Sequence, residues 1–156
     1  MRAVTEREIR ASFVNSTKGE AKRMAVPRDL AERPWDDLDF LGWRDMERAY
    51  VVAEHGDGLV GVALRVAPPG RHRRTGMCAW CLTTHPGDGV ALMTARKSAR
   101  GDNSVGVYVC GDLDCSLHLR GRKDTGRRLE ESLTLAEQID RTTANVAAFL
   151  ERVLAG

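Results

Sequence analysis

The stretch that decides the fold is Cys78-Ala-Trp-Cys81, followed after 28 intervening residues by Cys110-Gly-Asp-Leu-Asp-Cys115. These two close pairs contain all four cysteines of the chain. Structural zinc sites have four ligands in a tetrahedron, and two chelating pairs supply four thiolates from two separate segments. The spacing therefore predicts one closed zinc site with Cys78, Cys81, Cys110 and Cys115 as its ligands.

Other roles for these thiols stay open at the level of sequence. A redox Cys-x-x-Cys pair needs a helix directly after it, whereas residues 82–89 predict a loop. Chance placement of free thiols is a further alternative. His85 or His118 could replace a cysteine as ligand. If neither does, His85 is expected to lie in a loop. His118 is then expected to lie on the surface of a helix or to donate a hydrogen bond beside the site. Because four thiolates leave no open coordination position, the zinc is expected to be structural.

The segments around the cysteines predict two antiparallel hairpins and a short helix. Turn sequences separate two pairs of apolar runs, and a helical segment follows the last cysteine. The turn that carries the first cysteine pair, Cys78–Cys81, is called the knuckle below. A knuckle, a hairpin and a helix in this order are the arrangement of a treble-clef zinc finger. The predicted strands are Tyr50–Glu54 with Leu59–Arg65 and Val90–Ala95 with Val105–Val109, and the short helix is Ser116–Arg120.

Helices are predicted near both ends of the chain. Thr5-x-x-Glu8 has the form of a capping box, and a second short helix is expected from Lys18 to Arg23. Residues 34–43 are expected to form a structured loop that buries its apolar side chains. Helical spacing of apolar residues predicts a long helix from roughly Thr125 to Leu154, with one break near Thr142.

The predicted fold class is α+β: two antiparallel hairpins with a treble-clef zinc finger of four cysteine ligands, flanked by an N-terminal helix and a long C-terminal helix. The expected organisation is one domain over residues 1–123, with the zinc site at 77–121, and a helical extension over 124–156 packed on it.

Composition excludes several classes of protein. The 156 residues are 42% apolar and 29% charged, which is ordinary for a globular domain and argues against disorder and coiled coil. No apolar run approaches the ~20 residues that span a bilayer, and the N-terminus lacks a signal peptide, so a cytoplasmic protein is expected. Residues 65–128 carry 12 basic and 5 acidic side chains, a charge pattern that favours polyanions or an acidic protein surface.

No catalytic constellation is found in the sequence. Gly-x-Ser-x-Gly and Walker motifs are both missing. The carboxylates Asp36, Asp37 and Asp39 cluster beside Trp35, and an exposed acidic loop is the expected reason. The prediction is a protein that is not an enzyme.

The ordered motifs resemble a known family. They resemble the C-terminal treble-clef zinc-finger domain of the elongation factor G-binding proteins, the FusB-type fusidic acid resistance family. The resemblance covers roughly residues 10–122. It rests on Ser12-Phe-Val-Asn15, Trp35-Asp-x-Leu38, Phe40-Leu-Gly-Trp43, Gly61-Val-Ala-Leu-Arg65, Met77-Cys-x-x-Cys81, Gly106-Val-Tyr-Val-Cys110 and Cys115-Ser-x-x-Leu-Arg120-Gly121.

The resemblance implies a translation accessory protein that binds elongation factor G and helps it leave a ribosome on which it has stalled. It also implies one structural zinc held by four cysteines, which here are those named above. The resistance proteins resemble a two-domain design with a helical N-terminal domain, whereas this chain is expected to begin almost at the zinc-finger domain and to add a long C-terminal helix. The surface residues expected to contact the partner are Trp80, Arg96, Lys97, Tyr108 and Arg120.

An alternative function is RNA or DNA binding through the basic segment 65–128, which could also bring a factor near ribosomal RNA. The basic residues of this segment lie in loops without interleaved aromatic residues, which argues against base stacking. The candidate phosphate contacts are Arg71, Arg73, Arg74, Arg122, Lys123, Arg127 and Arg128.

Overall fold

A five-stranded antiparallel sheet forms the centre of the molecule. The computed structural model describes residues 1–70, 75–125 and 130–156. The strands are β1 (Leu41–Asp45), β2 (Arg48–His55), β3 (Gly58–Val66), β4 (Thr75–Met77), β5 (Thr84–Pro86), β6 (Val90–Arg96) and β7 (Ser104–Cys110), and the helices are α1 (Glu6–Ser12), α2 (Lys18–Arg23), α3 (Cys115–Leu119) and α4 (Leu135–Leu154). The strand order in the central sheet is β1-β2-β3-β6-β7, and a separate two-stranded ribbon pairs β4 with β5.

The α+β class and both predicted hairpins are confirmed. The hairpins β2–β3 and β6–β7 are not separate, however, because β3 pairs with β6 at Arg65↔Thr94 and Val66↔Met93. The expected loop at 34–43 is wrong at its C-terminal end, where β1 begins at Leu41 and pairs along β2. The rest of that segment contains a 3-10 turn at Trp35–Asp37.

Both short helices near the N-terminus were correctly predicted, the first of them from its capping signal. Thr5 and Glu8 form the capping box of α1, and Thr17 with Glu20 forms a second one on α2. The C-terminal helix α4 begins about ten residues later than predicted, at a Thr134 cap, and has no break. Within the described ranges, no helix has the length and apolar character that crossing a bilayer requires.

Two hydrophobic cores lie on opposite faces of the sheet. One contains the four cysteines, Trp80 and the buried side of α4, including Phe149 and Leu150. The other packs α1 and α2 against Trp43 and Tyr50, whose rings stack at 5.1 Å. The helix α4 therefore shares a core with the cysteine cluster, while the division of the chain at residue 124 remains a prediction.

A buried amide joins the two hairpins. Asn15, which is 1% exposed, donates from Nδ2 to the carbonyls of Ala63 (2.8 Å) and Arg96 (2.9 Å), and its Oδ1 accepts from the Ala63 N–H at 2.8 Å. The side chain thus satisfies backbone groups of β3 and β6 beyond the short stretch in which these strands pair. Its position depends on Phe13, which bridges to Gly61 of β3.

Replacing Asn15 by alanine is expected to lower the free energy of unfolding by about 3 kcal/mol. The change removes the hydrogen-bond partner of three part-buried backbone groups, and an unsatisfied buried group costs about 1–3 kcal/mol in isolation. Urea denaturation followed by circular dichroism measures the loss. Asn103→Ala, at the exposed turn of the β6–β7 hairpin, is the control; equal midpoints for the two variants would contradict the role given to Asn15.

Candidate metal centre

The four cysteine side chains meet in one buried cluster. All four Sγ atoms lie within 4.8 Å of one another, with 3.7 Å between Cys78 and Cys115 and 3.5 Å between Cys81 and Cys110. A tetrahedron with zinc–sulfur bonds of 2.3 Å has sulfur–sulfur edges of about 3.8 Å. The exposed fraction of each cysteine is 1% or less. The donor set therefore fits a zinc ion closed off from solvent.

The first cysteine pair sits on a tight turn between β4 and β5. The backbone N–H groups of Trp80 and Cys81 point at the Cys78 sulfur, at 3.4 and 3.5 Å. The turn closes through Leu82, which has a φ of 58° and donates its N–H to the Cys78 carbonyl at 2.9 Å. Backbone dipoles directed at a sulfur stabilise the thiolate form that binds a metal.

The second pair lies at the junction of β7 and α3. Cys110 ends the strand and Cys115 begins the helix, as the treble-clef arrangement predicts. Between them Leu113 adopts a φ of 58°, and its N–H donates to the Cys110 carbonyl at 2.9 Å. Left-handed backbone at a leucine is uncommon, and here it turns the chain so that both sulfurs point inward.

The thiols of the cluster influence one another's protonation. Hydrogen bonds from Cys110 and then Cys115 lower the pKa of Cys78, whereas hydrogen bonds to Cys110 and Cys78, together with burial, raise the pKa of Cys115 well above its usual value. Four buried thiolates repel each other strongly unless a cation neutralises them. Binding of a divalent ion is therefore expected to release protons from this cluster.

Two histidines lie against the cysteines. His85 Nε2 is 3.2 Å from the Cys110 sulfur and 3.0 Å from the Thr83 hydroxyl, which in turn lies 3.0 Å from the Cys81 sulfur. His118 instead pairs with Asp112 at 3.0 Å. His85 is thus buried in a strand rather than placed in an open loop, and the helix residue His118 is likewise buried. A second potential ligand group comprises His85, Cys110 and His118.

The pKa values of the two imidazoles are shifted in opposite directions. Burial, and then the charge of His118, lowers the pKa of His85. Burial alone would lower the pKa of His118 as well, but its hydrogen bond to Asp112 and the charge of that carboxylate raise it. In its neutral form, His85 can donate one N–H to the Cys110 sulfur, and in its protonated form His118 can form an ion pair with Asp112.

Trp80 does not stand at an exposed tip, contrary to the expectation from sequence. It is 1% exposed, and its ring packs against Phe40 at 5.4 Å and Phe149 at 5.5 Å. Asn145 of α4 also donates to the Trp80 carbonyl at 3.0 Å. The knuckle turns this indole inward because α4 supplies an apolar surface beneath it. Trp80 is therefore a core residue and not a partner contact.

Arg120 is likewise engaged within the molecule. Its guanidinium binds both carboxylate oxygens of Asp39, at 2.8 and 2.9 Å, and its side chain is 14% exposed. The backbone N–H of Asp39 donates to the Ser116 hydroxyl at 2.9 Å. The acidic segment near Trp35 thus anchors α3, a role that sequence reasoning missed and that the opposite charges of Asp39 and Arg120 could have suggested.

The other three proposed contacts lie at the surface. Arg96 is exposed and pairs with Glu20 at 3.3 Å. Lys97 is half-buried, and Tyr108 of β7 is 42% exposed. The structure thus brings Arg96 and Lys97 together at the end of β6, with Tyr108 farther along the neighbouring strand.

The candidate phosphate contacts divide into two groups. Arg122 pairs with Asp37 at 3.0 Å, and Lys123 pairs with Asp112 at 2.9 Å and Asp114 at 2.7 Å, so both charges are partly neutralised. The others lie outside the described residues: Arg71, Arg73, Arg74, Arg127 and Arg128.

Comparison with known proteins agrees with this geometry. Residues 8–153 match the model of the FBP C-terminal treble-clef zinc-finger family, a range that includes nearly all of α4. The fold is similar to the solved structure of the fusidic acid resistance protein FusC, with a TM-score of 0.62 at 17% identity. That similarity covers 97% of this chain but only 59% of FusC. No curated protein matches the sequence.

The family match and the cysteine cluster together define one structural zinc centre. Cys78, Cys81, Cys110 and Cys115 are the residues that would hold the ion, which supplies a cross-link between the knuckle and the β7–α3 junction. The chain belongs to the FBP C-terminal treble-clef zinc-finger family.

Proposed function

We propose that this protein is a non-enzymatic translation accessory factor that binds elongation factor G and promotes its release from stalled ribosomes. The observation that most supports the proposal is the match of residues 8–153 to the zinc-finger family of these binding proteins. The similarity of fold to a fusidic acid resistance protein points the same way. The closed cysteine cluster offers no open coordination position for chemistry at the metal.

The cluster makes a suitable base for a binding surface. Zinc would fasten the knuckle to β7 and α3, and structural zinc sites contribute on the order of 10 kcal/mol to folding. A surface that is ordered before binding does not lose conformational entropy when its partner arrives. Tyr108 lies two residues before the ligand Cys110 on β7, so its backbone is held by the same centre.

Arg96, Lys97 and Tyr108 are the residues proposed to contact the partner. Tyrosine and arginine are enriched at the centres of protein interfaces, where a few residues supply most of the binding energy. The Lys97 N–H donates to the Asn103 carbonyl at 2.9 Å and so closes the hairpin below its side chain. The basic side chains of Arg96 and Lys97 at the turn end of the β6–β7 hairpin complement an acidic surface on a partner.

Release of a stalled factor requires only differential binding. A partner shifts an equilibrium by the difference between its affinities for the two states, and reversing a 1:99 balance takes ~5.5 kcal/mol. A protein interface of ordinary size can supply such a difference without any chemical step.

Elongation factor G is expected to bind the wild-type chain, and Lys97→Ala and Tyr108→Ala are each expected to weaken binding about tenfold. Isothermal titration calorimetry with the two purified proteins measures these affinities. Lys22→Ala, which removes an exposed charge from α2, is the matched control. Absence of binding by the correctly folded, zinc-loaded wild-type chain would overturn the proposed function.

A further inference from the structure

Among the residues that the structure describes, no helix covers one part of the central sheet on the face opposite α4. On this face, α1 and α2 cover Trp43, Tyr50 and the neighbouring part of β3. Farther along, the side chains of β3, β6 and β7 are exposed or half-buried. We call this area the open face; it comprises Arg48, Arg65, Leu92, Thr94, Gly106 and Tyr108.

Two arginines stand directly opposite each other on the open face. Arg48 of β2 and Arg65 of β3 are register partners, and both are exposed. Like charges in this position destabilise a sheet. In the part of the chain that the structure describes, neither guanidinium has a carboxylate within 4.0 Å, although Asp45 is the β1 register partner of Arg48. The pair therefore presents two positive charges to solvent.

An aromatic ring and a glycine continue the same face. Thr94 pairs with both Arg65 and Gly106, and two residues along, Leu92 pairs with Tyr108. From strand spacings, the Cα atoms of Arg65 and Tyr108 are about 12 Å apart. Gly106 places no side chain between them, so the face is flat there.

A shallow pocket adjoins the tyrosine. Its volume is about 240 Å³, and Pro68, Pro69, Leu92 and Tyr108 form much of its wall, with Arg44 and Asp88 also lining it. Apolar walls beside an aromatic ring suit a planar base, while the arginine pair suits a phosphate.

We propose that the open face binds single-stranded nucleic acid, with Arg48 and Arg65 on the phosphates and Tyr108 stacked on a base. Stacking on a sheet requires bases that are not already paired, so a single strand fits and a duplex does not. The proposed contacts Arg48 and Arg65 lie on strands and not in the basic loops that contain the candidate phosphate contacts predicted from the sequence. The proposal does not depend on elongation factor G.

Fluorescence anisotropy with labelled 12-mers of oligouridine and oligodeoxythymidine tests the proposal at several salt concentrations. Arg48→Ala/Arg65→Ala is expected to weaken binding at least tenfold and to reduce the slope of log K against log salt by about 1.4, the value for two lost contacts to a single strand. Tyr108→Ala is expected to cost about tenfold with little change in slope, because stacking releases no counterions.

The matched control is Arg7→Ala/Lys22→Ala, which removes two charges from the groove between α1 and α2. Retained binding by this control supports the assignment, and comparison of the two 12-mers shows whether the ribose hydroxyls contribute. Equal weakening by both double variants, equally tight binding of polyglutamate, or no binding of either 12-mer by the wild type would overturn it.

Discussion

The Cys78→Ser variant is expected to lose its zinc and, with it, the folded zinc-finger core. A serine hydroxyl is not ionised at neutral pH, so the remaining three thiols cannot form a closed four-ligand site. Zinc contributes on the order of 10 kcal/mol to the folding of such sites. That is comparable to the whole stability of a typical domain, which is about 5–15 kcal/mol.

Cys78 is a sharper choice than Cys110 for this test. His85 Nε2 lies 3.2 Å from the Cys110 sulfur, so in a Cys110 variant this imidazole could bind the zinc in place of the lost thiolate. Cys78 has instead two backbone N–H groups directed at it, from Trp80 and Cys81. Those groups cannot bind a cation in place of the lost sulfur.

Metal content by inductively coupled plasma mass spectrometry and thermal unfolding by circular dichroism measure the effect. Ala79→Ser is the matched control, since it adds a hydroxyl at an exposed position of the same knuckle. It should keep one zinc per chain and the wild-type melting temperature. A Cys78→Ser protein with full zinc and an unchanged melting temperature would contradict the account.

Trp80→Ala is expected to have the second largest effect, a loss of about 3–5 kcal/mol. The substitution removes a fully buried indole from between Phe40 and Phe149 and so separates the knuckle from α4. For a chain of this length the melting temperature should fall by roughly 10 °C. The cysteines themselves are unchanged, so the protein should still bind one zinc.

The Trp80→Phe variant separates the contribution of apolar packing to stability from the cost of the buried indole N–H. Among the described residues, Trp80 Nε1 is buried without a hydrogen-bond partner. Phenylalanine keeps much of the apolar contact and removes that unpaired donor, so it should cost clearly less than alanine. Differential scanning calorimetry of both variants compares them; a Trp80→Ala protein as stable as the wild type would rule out the role of this residue in joining knuckle and helix.

Local patterns in the sequence were sufficient for much of the fold. Capping boxes depend on residues three positions apart, which is why Thr5 correctly marked the start of α1. Alternating apolar residues around Gly-containing turns correctly marked the hairpins. The cysteine pairs predicted the cluster because the chain offers four thiols and the site requires four ligands.

Contacts between distant segments explain what the sequence left unpredicted. Trp80 is buried because α4 packs over the knuckle, and Arg120 is neutralised by Asp39, 81 residues away. Asn15 reaches Arg96 over an equal separation, and nothing in its own neighbourhood signals that contact. The pairing of β3 with β6 likewise depends on the whole sheet.

Zinc K-edge X-ray absorption on the purified chain, combined with metal analysis, tests the central claim most directly. The account predicts one zinc per molecule with four sulfur neighbours at about 2.3 Å. A chain without zinc, one with nitrogen or oxygen in place of a sulfur, or one whose four cysteines are joined as disulfides would contradict it.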